Sequence, residues 1–213
     1  MIDNFNLIKN YIGPDFGTDA FYHCQIVRRV KDHKPRKVKE SMLKTYFIKD
    51  EKHLDLLKEE IVLLCNYYGA RAYINLSYKD FKDFRNKLLL KIAEDINNNN
   101  VRNPQKLINS VAGELKSDKP VWVVDIDNKE DLPAVEQTLL KLYKEYYSKA
   151  DVDNLITIDT LYGFGIKEVI PTLAGCHLIT KPFNLYAFKQ EHPNIDVHKN
   201  SMGTLLYCPD FNN

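Results

Sequence analysis

The stretch Val121-Trp122-Val123-Val124-Asp125-Ile126-Asp127 limits this chain more than any other. Apolar residues, among them the only tryptophan, run straight into two carboxylates. β-Branched and aromatic side chains in a short apolar run favour a buried strand. Along a strand, residues i and i+2 point to one face, so Asp125 and Asp127 project together. Two like charges that close repel, and one takes up a proton unless something positive sits between them. A divalent cation is one solution, because Mg²⁺ and Mn²⁺ prefer carboxylate oxygen and often complete their shell with substrate phosphates. A helix cap is the other, since Asn128 and Asp131 are residue types that open helices.

The remaining periodicities predict an α+β fold: a mixed or antiparallel sheet with flanking helices. Residues 20–30 and 43–48 read as the strands of a long hairpin. Leu54, Leu57, Ile61 and Leu64 mark a helix over 52–67, which Gly69 stops. Residues 70–76 form a strand. Ser77 and Asp80 resemble a capping box opening a helix with Phe81, Phe84, Leu88 and Ile92 on one face. A shorter helix is expected over 104–115, and another from Leu132 to Tyr146. Strands are expected at 121–126, 154–159, 175–180, 194–198 and 204–208, with a glycine turn at Gly163 and Gly165 and a short helix over 184–190. The 213 residues suit a single domain, with a hairpin and helical part to about 116 and a motif-bearing part from about 117 to 213.

Composition narrows the partners. Thirty basic against 29 acidic side chains leave a net charge of +1, which excludes a generally cationic nucleic-acid coat but not a local basic channel. Cys24, Cys65, Cys176 and Cys208 are dispersed and match no zinc module, so reduced thiols and a cytoplasmic setting are expected. No signal peptide is apparent, and no apolar run approaches the ~20 residues of a membrane span.

Two later segments carry chemistry-bearing residues. In Ile170–Asn184, His177 opens an apolar strand after a Pro171–Gly175 turn, and Lys181 follows it. Histidine and lysine beside a glycine turn can grip phosphate oxygens, although a buried histidine can equally serve the core. In Asn194–Pro209, Asp196 lies between Ile195 and Val197, with His198 on the same face. Alone it suits a surface or turn position; beside Asp125 and Asp127 it would complete a two-metal site.

The order of these pieces resembles the archaeo-eukaryotic primase superfamily, and in spacing the compact primase-polymerases. The hhhDxD strand, the small-Gly-x-His strand and the hDh strand followed by a glycine carry the likeness, which covers about residues 120–209. It implies that Asp125, Asp127 and Asp196 bind two Mg²⁺ or Mn²⁺ ions and catalyse nucleotidyl transfer, that His177 contacts the phosphates of a nucleoside triphosphate, and that nucleic acid is a partner. The run Leu-Ala-Gly-Cys-His departs from the Arg-Gly that often precedes the family histidine. The chain also resembles a group of bacterial and bacteriophage proteins sharing RAYINL, DID and HLITKPFN-like blocks, a likeness that implies no activity.

The N-terminal half adds cations. Residues 28–44 hold eight Lys or Arg against two acids, enough to track a phosphate backbone or to solvate a hairpin tip. Arg28, Arg29 and Arg71 are the candidate nucleic-acid contacts; Arg71 shares a face with Tyr73 and needs an anionic partner on a central strand. Clustered acids with a phosphate grip also suit a metal-dependent phosphodiesterase or nuclease, and a non-catalytic nucleotide- or nucleic-acid-binding protein.

Overall fold

A computed structural model describes residues 1–12, 19–33, 41–147, 165–200 and 203–211. The strand expected over 154–159 and the turn at Gly163 lie outside them. In chain order the N-terminal half runs β1 (Ile2–Asp3), α1 (Phe5–Ile12), β2 (Ala20–Arg28), β3 (Ser41–Ile48), α2 (Glu51–Tyr68), β4 (Arg71–Asp80), α3 (Phe81–Asn97) and α4 (Pro104–Glu114). Then come β5 (Trp122–Ile126), α5 (Leu132–Tyr147), β6 (Ile166–Pro171), β7 (Cys176–Thr180), α6 (Leu185–Glu191), β8 (Asp196–His198) and β9 (Thr204–Cys208).

The fold is α+β, and its described strands form two sheets rather than one, both antiparallel throughout. The first is ordered β1-β9-β4-β2-β3 and the second β6-β7-β5-β8. The long hairpin forms as expected from β2 and β3. β9, the last strand, returns to pair with β4, which ties the C-terminal segment to the N-terminal sheet.

Helix ends follow local chemistry. The Asp50 carboxylate accepts from the His53 amide at 2.7 Å, and α2 ends at Gly69, whose φ of 57° is left-handed and suits a residue without Cβ. The expected start of α3 is corrected: β4 continues through Ser77 to Asp80, and Asp80 alone caps the helix. Ser77 is tolerated in the interior because its hydroxyl satisfies backbone groups of Val121, just before β5, accepting from the amide at 3.0 Å and lying 3.3 Å from the carbonyl. The sequence reading missed α1, a helix of only eight residues that buries Phe5, Ile8 and Ile12, and β6, a strand of six.

Alternation along β2 and β4 makes two unlike faces. Tyr22, Cys24, Ile26, Ala72, Ile74 and Leu76 belong to the main core with Leu54, Ile61 and Cys65 of α2. On the other face, Phe21 packs with Phe84, Leu107 and Val111 of α3 and α4. The second sheet sends Val121, Val123, Ile170 and Ile179 into the main core, while Val124, Ile126, Cys176 and Leu178 pack on α5 and α6. Each such buried aliphatic side chain contributes about 1.5–3 kcal/mol, so β5, buried on both faces, is firmly held. All four cysteines are buried and unbridged. No described helix is long and apolar enough to cross a membrane.

Candidate functional site in the cleft between the sheets

The packed core stops short of one end of the two sheets, leaving a cleft with a cavity of about 520 Å³. Asp125, Asp127, His177 and His198 line it from the second sheet; Arg29, Arg71 and Tyr73 line it from the first. The β5 strand ends here, so its apolar residues feed the core and its carboxylates meet the cavity.

Register explains the cluster on the second sheet. Asp125 stands directly opposite His177 on β7 and opposite Asp196 on β8. Residues paired this way share a face. The His177 Nε2 lies 3.2 Å from Asp125 Oδ1, and His198 Nε2 lies 4.0 Å from Asp125 Oδ2. One carboxylate is therefore flanked by two imidazoles. His177 is buried, and its Nδ1 has no hydrogen-bond partner among the described residues. With Nε2 turned to Asp125, it has little left to offer a ligand. His198, whose side chain is 40% exposed, is the imidazole better placed to reach one.

Asp196 departs from the expected triad. Its backbone position is beside Asp125, yet its carboxylate is 78% exposed, lies 4.0 Å from Lys189 Nζ and does not line the cavity. The cause is the edge position: β8 is only three residues long, and Lys189 is anchored next to Asp196 by donating to the Ile195 carbonyl at 2.7 Å. Turning toward that ammonium also takes Asp196 away from the Asp125 charge.

The facing wall is bound up within itself. Arg71 forms a bidentate ion pair with Asp32, its Nε donating to Oδ2 at 2.8 Å and Nη2 to Oδ1. Both side chains are largely buried, 11% and 3% exposed. Burial opposes the Arg71 charge, but the hydrogen bond to Asp32 and the nearby Tyr73, Cys208 and Asp32 groups together outweigh it, and its pKa is raised. Arg71 thus finds its anion in the same sheet region rather than among the cleft carboxylates. Arg29 donates to the Tyr73 hydroxyl at 2.8 Å and retains further donors for a ligand. Arg28 does not line the cavity; its Nε is buried without a hydrogen-bond partner among the described residues. Residues 34–40 of the basic segment lie outside the described residues.

Lys181 is also parted from the cluster. It follows Thr180, at the opposite end of β7 from His177, and lines a separate cavity with Lys119 and Lys167.

Farther along the cleft face of β4 runs a buried polar seam. The Lys79 Nζ donates to the Leu115 carbonyl at 2.7 Å, and Asn200 Nδ2 donates to that same oxygen at 3.0 Å. Burial, with Lys87 adding to it, pushes Lys79 down to about 8. His23 is 2% exposed and stacks on Phe47 with ring centroids 5.7 Å apart, neither ring nitrogen having a hydrogen-bond partner among the described residues. Burial, then the charge of Lys79, lowers His23 to about 4.

The cleft donors suit one hard divalent cation: two carboxylates supply part of an oxygen shell and leave positions for water and phosphate. The third acid expected for a two-ion site, Asp196, does not line the cavity. Among the described residues no three His, Cys, Asp or Glu side chains are already arranged to hold a metal. Sequence reasoning placed Asp125, Asp127, His177, Arg29 and Arg71 in one site. It did not name Asp32, Tyr73 or His198 as site residues, although the i, i+2 spacing put Tyr73 on the face of Arg71 and His198 on that of Asp196. Comparison with family models, with curated proteins and with solved structures found no match.

Proposed function

We propose that the cleft binds a nucleoside triphosphate with one divalent cation and serves metal-dependent nucleotidyl transfer on nucleic acid. The observation that carries this is the pairing of unlike walls in one cavity: Asp125 and Asp127 on one side, Arg29 with Tyr73 on the other. Carboxylates facing a guanidinium across a nucleotide-sized space suit a ligand that is itself anionic and metal-loaded. Asp125 and Asp127 would hold the ion, and the bound Mg²⁺ or Mn²⁺ supplies Lewis-acid neutralisation of phosphate charge. Arg29 meets phosphate oxygens from the opposite wall. His198 approaches from the rim, and His177 fixes the Asp125 carboxylate. Arg71, tied to Asp32, holds the wall in shape.

A second function, binding without turnover, is favoured by one observation: Asp196 is engaged by Lys189 and leaves the acid triad incomplete. The two are separated by measuring ATP binding with and without Mn²⁺, then extension of a labelled primer on a template. Nucleotidyl transfer predicts Mn²⁺-dependent binding that weakens more than roughly tenfold in Asp125→Ala, the loss of one charge-assisted contact, together with extension that the same variant abolishes. Mn²⁺-dependent binding without extension supports the second function. ATP binding at this cleft that ignores both Mn²⁺ and Asp125 sinks the metal-dependent proposal.

A further inference from the structure

Helix α3 has two unlike faces. One packs inward: Phe84 is buried, and Phe81 and Leu88 lie against the cluster that α3 forms with α4. The other carries Leu89, Ile92 and Ile96, which are 66%, 38% and 72% exposed. Their spacing of i, i+3 and i+7 sets them in one stripe along the helix, the seam by which two helices pack on each other. Ala93, also exposed, joins the stripe, and the exposed Leu90 flanks it. Single exposed aliphatic side chains are ordinary on a protein surface, but five of them on the second half of one helix make an apolar patch.

Charge gives this stripe a direction. Toward the helix start it continues through Arg85 and Lys82, at helical spacing from Leu89. Among the described residues, neither Arg85 nor Lys82 has a carboxylate within ion-pair distance. The flank differs, because Lys87 pairs with Glu114 and Lys91 with Glu94. The far end of the helix has the opposite polarity. Its last turn holds no basic residue, and Arg102, which approaches it, is paired with Asp95. The negative end of the helix dipole is left for an outside cation. A stripe with cations at one end and helix carbonyls at the other is complementary to itself when reversed.

We propose that α3 is the interface of a two-fold symmetric homodimer, in which it pairs antiparallel with α3 of a second copy of this chain. With the axis between residues 92 and 93, Leu89 meets the partner's Ile96, and Ile92 meets the partner's Ala93. Arg85 then reaches the carbonyl end of the partner's helix. Closed two-fold pairs are the commonest assembly of like chains, and they need a self-complementary patch of this kind. A parallel pair sets Arg85 against Arg85 and Lys82 against Lys82. A membrane surface fits less well, because α3 carries four cations against three acids and gains little from anionic headgroups. The helix is about 25 Å long, which puts the contact at the small end of stable interfaces, with a dissociation constant on the order of 10 µM. No α3 residue lines the cleft, so the dimer stands or falls apart from the nucleotide reading.

Analytical ultracentrifugation of the full chain from about 1 to about 200 µM is the test, and the mass is expected to double across that range. The double variant Leu89→Glu with Ile96→Glu is expected to stay monomeric throughout, its affinity weakened by about a hundredfold or more, on the order of tenfold for each apolar contact replaced by a charge. Both residues are exposed, so its unfolding midpoint at low concentration should be unchanged; Leu89→Gln with Ile96→Gln takes its place if the midpoint falls. Arg85→Glu weakens the dimer by about tenfold. Direction is read from disulfides: a mixture of Leu89→Cys and Ile96→Cys is expected to oxidise to a linked dimer that neither variant forms alone, the four native cysteines being buried. An unmodified chain that stays monomeric, a dimer that the double variant leaves intact, or like pairs that link as well as the mixture overturns the proposal. So does a monomer that floats with anionic vesicles, which assigns the stripe to a membrane surface.

Discussion

The two walls of the cleft carry opposite charges and use them differently. On the first sheet the main cation is committed inside the protein: Arg71 is locked by Asp32, and Arg29 is braced by Tyr73. On the second sheet an acid is crowded at one strand end, with imidazoles on either side of Asp125 and Asp127 beside it in the cavity. The first wall spends charge on shape, and the second presents charge to the cavity. A charged residue in a cleft is thus a poor guide to function until its partner is known, because a buried bidentate pair and a ligand-binding guanidinium look alike in sequence.

The strongest way to break the second wall is through Gly175. A Cβ there would overlap the Ile126 carbonyl oxygen and stand 2.8 Å from the Asp127 carbonyl carbon. Both are backbone atoms of the segment that carries the cleft acids, so nothing flexible can give way. Gly175→Val is expected to cost about 4 kcal/mol or more and to abolish Mn²⁺-dependent binding, as read by urea unfolding and calorimetry.

Arg71→Ala tests whether the first wall is structural. It leaves Asp32 buried without its cation, for an expected loss of about 4 kcal/mol in urea unfolding. Arg29→Ala should leave stability nearly intact and weaken triphosphate binding instead. If Arg71→Ala were neutral in stability and Arg29→Ala were not, the assignment of roles on this wall would be reversed.

A milder probe is pH, acting on the seam behind the first wall. The folded-state pKa of His23 is about 4, below its ordinary 6.5, so the unfolded chain binds the extra proton first. Stability is therefore full above about pH 6.5 and falls as the pH drops toward 4, by up to roughly 3 kcal/mol at 1.36 kcal/mol per unit. Urea midpoints at pH 7, 5 and 4 measure the slope, which His23→Phe should flatten. An equally steep slope in that variant would assign the acid sensitivity elsewhere.

The smallest effect is expected at Asp196. Being exposed and 4.0 Å from Lys189, it should tolerate alanine with no measurable change in unfolding midpoint or in Mn²⁺ affinity. A large loss of Mn²⁺ binding would show that its side chain swings into the cleft when the ion is bound, and would restore the triad.

Much of this was legible in the chain. Periodicity marked β5, the β2–β3 hairpin, α2 and α5, because burial on one or both faces leaves a pattern within one segment. The i, i+2 rule put Asp125 with Asp127, and Arg71 with Tyr73. The capping-box reading failed at Ser77, a polar residue typical of helix starts, which lies inside β4 and bonds the backbone of Val121 just before β5. Grouping Lys181 with His177 by nearness in sequence failed because that nearness becomes separation along an extended strand, at about 3.3 Å per residue.

The sequence by itself determined the elements, the facing of side chains along each strand and the identity of the acids. Only the tertiary structure decided which charges meet: Asp32 with Arg71, two histidines around Asp125, Asp196 with Lys189, and three lysines at the far end of β7. Alternation is a short-range property that each strand carries in its own residues. Charge pairing depends on which strands become neighbours and where each one ends, and that is settled by packing between segments far apart in the chain.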